Sequence, residues 1–193
     1  MKQILLHNQL NRMFVIQENK STATLWLVYA ITVLVGGFVV IVLAMWVYGH
    51  LFNQEPIDQT AWIILAALLL RVFTVVIALA SIQKWGQLFP SWAVLGGLAG
   101  SASAQLIYPI AELIVKLVLL TGLIESSPTG LGNMSLTGWF NLSAVWVIFG
   151  IPGILFMLAA KNYKISRGLS NRWIWIGGLS GIITLFFIGF LIG

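Results

Sequence analysis

Residues 91–124 read SWAVLGGLAGSASAQLIYPIAELIVKLVLLTGLI, an apolar stretch interrupted by one glutamate, Glu112, and one lysine, Lys116. Whether this segment crosses a bilayer decides how the whole chain is read. As a helix rising 1.5 Å per residue, about 34 residues extend roughly 50 Å. A hydrocarbon core is ~30 Å thick and needs ~20 apolar residues to cross it. The stretch is therefore long enough to span, and it must tilt, bend or project beyond the membrane. Pro109 supplies a cause for a bend, because it has no N–H to give the carbonyl of Gln105.

Four further apolar runs flank it: Ala23–Tyr48, Ala61–Gln83, Trp139–Ala160 and Trp173–Ile192. The 193 residues are 60% hydrophobic and 8% charged, whereas soluble domains carry about a quarter charged residues. The expectation is an all-α integral membrane protein, a bundle of five transmembrane helices whose third span is long and bent near Pro109. Residues 23–193 form one transmembrane domain. Ahead of it, Leu6, Leu10, Met13 and Ile16 in residues 1–22 are spaced like one helix face, which predicts a short amphipathic helix on the cytoplasmic surface.

The formal charge of +5 is explained by its placement. Eight of the ten Lys/Arg fall in three polar segments: Lys2, Arg12 and Lys20; Lys84; Lys161, Lys164, Arg167 and Arg172. The alternate segments, residues 50–60 and 125–138, contain none. This is the positive-inside pattern, and it predicts a cytoplasmic N-terminus and an external C-terminus. The basic charge therefore gives no reason to expect a nucleic-acid partner. Eight of the nine tryptophans also lie near a predicted boundary, where an apolar ring with one N–H is at home. Multi-pass insertion in a bacterial cytoplasmic membrane is the expected localisation, with the lipid bilayer as the first partner.

Enzyme chemistry finds little to work with. The chain has no cysteine, and His7 and His50 both lie outside the apolar runs, so no thiolate, haem or metal ligation is expected and no cofactor is called for. The run GLSG at Gly178–Gly181 matches the surroundings of an intramembrane serine nucleophile. Such a serine needs a base, and no histidine follows His50. Asn133 and Asn141 match the glycosylation acceptor pattern, which matters only in a eukaryotic secretory pathway.

The polar residues of the third stretch are more informative. Ser101, Gln105, Tyr108, Glu112 and Lys116 are spaced to form one stripe on a helix. The second span carries a lesser stripe through Arg71, Thr74, Ala78 and Ser81. Counted from the outer boundary, Arg71 lies roughly 16 Å deep and Glu112 roughly 20 Å, so an Arg71–Glu112 ion pair is expected. Lys116 is left as the surplus cation, reaching outward along its stem. Three unpaired charges at mid-span would cost roughly 8–10 kcal/mol, comparable to a domain's whole stability, so they must be paired, wetted or snorkelling. Gly96 and Gly100, and likewise Gly177 and Gly181, have the four-residue spacing that lets helices approach closely.

Two functions follow. In the first, the polar centre of the second and third spans carries a small or anionic solute across the membrane. Arg71, Glu112, Lys116, Gln105, Tyr108 and Ser101 are then the candidate residues, and so small a carrier is expected to act as a homo-oligomer. In the second, the protein is a non-catalytic accessory, assembly or protective subunit, and its buried charges dock a partner membrane subunit.

Overall fold

The structure is a computed structural model that describes residues 2–123, 127 and 129–192, with side chains described within residues 24–190. Six α-helices account for nearly all of it: α1 Lys2–Val47, α2 Gln59–Ala80, α3 Ser91–Leu120, α4 Leu136–Val145, α5 Ile151–Arg167 and α6 Arg172–Ile192. A π-helical turn, Trp146–Gly150, joins α4 to α5 into one continuous fourth span. Five helical segments are thus long and apolar enough to cross a membrane. The predicted amphipathic face of residues 1–22 lies outside the described side chains.

The helix ends have local causes. Asp58 caps α2 by accepting from the Ala61 N–H at 2.8 Å, and Ser135 caps α4 by accepting from Gly138. Each satisfies an N–H that has no partner within its helix. Gly122, at φ +74°, turns the chain after α3, so the third span stops at Leu120, four residues short of the boundary expected at Ile124. Gly168, at φ +63°, ends α5, seven residues beyond the Ala160 expected. α3 itself continues through Pro109, which is fully buried.

The third span is the centre of the bundle. It packs against α6, α5 and α2, while α1 packs against α2 and α5. On the α3–α6 side, a Cβ built on Gly177 would fall into the backbone of Gly96, and one on Gly181 into that of Gly100. The two helices meet backbone to backbone through these four glycines, and Trp92 stacks on Trp173 at 5.1 Å beside them. An apolar core fills the half of the bundle nearer the basic segments. It joins Val28, Ile31 and Val35 of α1 to Leu95 and Leu98 of α3 and to Phe156 and Ala159 of α5. The other half holds the polar residues.

Candidate functional site: a polar layer at the fourth span

Lys116 has no exposed surface. Its Nζ donates to the main-chain carbonyl of Asn133 at 2.7 Å and lies 3.7 Å from Glu112 Oε1, one turn back on α3. The Trp139 ring lies 5.5 Å away. A buried ammonium is tolerated only with an opposite charge and acceptors at hand, and the segment before α4 supplies the acceptor. Asn133 is itself fixed there: its side chain accepts from the Ser135 N–H at 2.9 Å, and Gly138 packs against its carbonyl.

Arg71 lies elsewhere. Its guanidinium is half-buried over the rings of Phe38 and Phe149, at 4.5 and 4.2 Å, and its Nη1 donates to the carbonyl of Ile148 at 3.4 Å. That acceptor has a cause in the sequence. Four residues on from Ile148 stands Pro152, which has no N–H to offer it, and the backbone there widens into the π turn, with the Ile151 N–H bonding Trp146. Inserted turns of this kind are frequent at functional sites. Here the turn presents a carbonyl and a ring to an arginine from another span.

The two sets of contacts fall at neighbouring depths. α3 and the fourth span run antiparallel, with Gly153 against Leu106 and Trp139 against Lys116. This register brings Ile148 and Phe149 level with roughly residues 107–110 of α3. The Arg71 guanidinium therefore sits between the levels of Gln105 and Glu112, in a layer about 10 Å deep. Arg71 Nη2, both amide atoms of Gln105 and Glu112 Oε2 are buried there without a hydrogen-bond partner in the protein. Buried polar groups are nearly always bonded, and leaving one unpaired costs about 1–3 kcal/mol. Four such atoms lie within this depth range, on α2 and α3.

Along α3, these atoms fall between two sets of packed residues. The apolar core lies on one side, and Lys116 with Asn133 and Trp139 on the other.

Two sequence expectations are corrected by this geometry. Glu112 pairs with Lys116 rather than Arg71, and among the described residues theirs is the ion pair formed; four-residue spacing on one helix outweighs a match in depth between two. Lys116 reaches toward the segment before α4 and ends buried under its carbonyl, so the uncompensated cation among the described spans is Arg71. Of the stripe, Gln105, Glu112 and Lys116 are buried together. Ser101 is buried too, but its hydroxyl donates to the Gly97 carbonyl at 2.8 Å, which satisfies it within its own helix. Tyr108 is half-exposed, and Pro109 takes the buried position between Gln105 and Glu112. Ser180 of the GLSG run likewise donates to the Gly177 carbonyl at 2.8 Å.

Phe38, Ile148, Phe149 and Pro152 were not singled out by sequence, and Asn133 and Trp139 drew notice only as a glycosylation match and a span boundary. The proline rule applied to Pro109 would have identified Ile148 when applied to Pro152. The Asn133 carbonyl carries no sequence signal, since every residue has one. No group of three or more metal-ligating side chains occurs among the described residues. Comparison with family models, curated proteins and solved structures finds no match for this chain.

Proposed function

We propose that the protein is a small, non-enzymatic membrane carrier that moves a small or anionic solute through the layer bounded by Arg71, Gln105 and Glu112. The observation that carries this reading is the concentration of unpartnered buried polar atoms at neighbouring depths, between the apolar core and the Lys116–Asn133 contact. A solute with its own donors and acceptors would satisfy those atoms, and carriers hold their substrates near the middle of the bilayer. The polar centre now includes the fourth span as well as the second and third. The charge pattern supports a cytoplasmic N-terminus in a bacterial cytoplasmic membrane. With 193 residues, the carrier is proposed to work as an assembly of identical copies.

The test is solute uptake by liposomes containing the purified chain, against empty liposomes. Uptake above background that falls at least tenfold in Gln105→Leu, with the variant still monodisperse, is the expected result. Background-level uptake across inorganic anions, organic acids and small neutral solutes would sink the carrier reading. If a foreign membrane subunit co-purified in fixed stoichiometry as well, an accessory role would replace it.

A further inference from the structure

Arg71 is a cation without a carboxylate. Around its guanidinium stand Phe38 from α1 and Phe149 and the Ile148 carbonyl from the fourth span, and no acidic group among the described residues lies within ion-pair distance. The rings and the carbonyl help to hold a guanidinium, but they bring no formal charge. Glu112 and Lys116 cancel each other, so the charges within the spans sum to one positive charge, and it sits on Arg71. Nη1 is occupied by Ile148, while Nη2 is buried and free. At nearly the same level on α3 is a second free donor, the Gln105 side-chain Nε2.

We propose that Arg71 Nη2 is the binding point for a small monovalent inorganic anion of halide or nitrate size. This names the solute class of the carrier reading and rests on it for the step of transport, though not for binding. Charge fixes the valence. One negative charge neutralises the layer, whereas a divalent anion would leave an excess negative charge at mid-span, where an uncompensated charge is costly. Size follows from Nη2 being buried. Hydration sets the order among monovalent anions: few N–H donors recover only part of a lost hydration shell. Iodide and nitrate should therefore bind more tightly than chloride, chloride more tightly than fluoride, and sulfate not at all.

Binding is tested by thermal unfolding of the full chain in detergent, with gluconate holding ionic strength constant. A ligand that binds only the folded state raises the midpoint in a saturable way. Saturable shifts for iodide and chloride, none for sulfate, and loss of the shift in folded Arg71→Gln are expected. The proposal is overturned by no halide shift in the wild-type protein, by an equal shift with sulfate, or by an unchanged shift in folded Arg71→Gln. Should Arg71→Gln fail to fold, bromide anomalous scattering from wild-type crystals decides. A peak within hydrogen-bonding distance of Nη2 supports the site; a peak elsewhere, or none, refutes it. Iodide influx into liposomes separates the two readings. Halide stabilisation without flux of any solute keeps the anion site and ends the carrier reading, while flux of another solute without halide stabilisation does the reverse.

Discussion

Glu112 and Lys116 depend on each other, and their energetics can be separated by mutation. Removing one partner of a buried pair strands the other charge and typically costs about 3–5 kcal/mol. Glu112→Gln and Lys116→Met are each expected to lower stability in detergent by that amount. The double variant Glu112→Leu with Lys116→Met should recover most of the loss, because an apolar pair of similar volume is often neutral. Equal losses in the single and double variants would mean that the side chains do not act as a pair. The same logic tests partner choice. Exchanging Glu112 with Lys116 should be tolerated better than exchanging Glu112 with Arg71, measured as folded yield. The sequence made these three charges conspicuous but mispaired them. It offers depth as a guide, and depth is blind to which face of the second span meets which neighbour. Arg71 faces a carbonyl exposed by a proline in the fourth span, 77 residues further along the chain, and that juxtaposition exists only once the helices are packed.

Among the helices, the contrast between two sets of glycines is the clearest test. Gly177 and Gly181 leave no room for a Cβ against α3, whereas nothing lies within 4 Å of a Cβ on Gly36 or Gly37. Gly177→Ala and Gly181→Ala should each destabilise by about 1–3 kcal/mol, the usual effect of overpacking. Gly37→Ala should be neutral or mildly stabilising, since alanine is favoured over glycine in helices by up to about 1 kcal/mol. Thermal unfolding of the three variants checks this; a loss for Gly37→Ala equal to the others would argue against the α3–α6 contact. The π turn gives a second test. Pro152→Ala returns an N–H that can compete with Arg71 for the Ile148 carbonyl, so Arg71→Lys should be less damaging in the Pro152→Ala background. A double-mutant cycle measures that coupling, and strictly additive effects would uncouple the two. Glycine spacing and apolar runs were legible because they repeat at the helical period. The helix end at Gly122 was missed because a left-handed glycine looks like any other glycine in an apolar run, and that at Gly168 because α5 runs on past the apolar residues into the basic segment.

At the scale of the molecule, the bundle is asymmetric between its two halves, with an apolar core nearer the basic segments and polar groups beyond it. A carrier built this way must open the contacts of Val28, Ile31, Leu95 and Phe156 to release solute inward. Filling that core more tightly, as in Ala159→Val, should slow transport more than it weakens halide binding. Orientation can be tested directly because the chain has no cysteine. Single cysteines at Gln54 and Thr129 should react with an impermeant maleimide added outside intact cells. Cysteines at Gln87 and Ser170 should react only after permeabilisation; the opposite pattern would invert the topology. The number of spans was legible because apolar length is a direct consequence of bilayer thickness. The shared depth of the unpartnered polar atoms was not, because it depends on the register between antiparallel helices.

The bond between Lys116 and Asn133 also bears on how the protein is made. The acceptor lies 17 residues after the lysine, so it leaves the ribosome later. Until then the third helix, the least apolar of the five, carries an ammonium with only Glu112 beside it. Its residence in lipid should therefore become secure only when the following segment arrives, and the third and fourth helices should enter the bilayer as a hairpin. In a nascent chain stalled before Asn133 has emerged, a single cysteine placed within α3 should still react with a water-soluble maleimide, and in one stalled after the fourth span it should not.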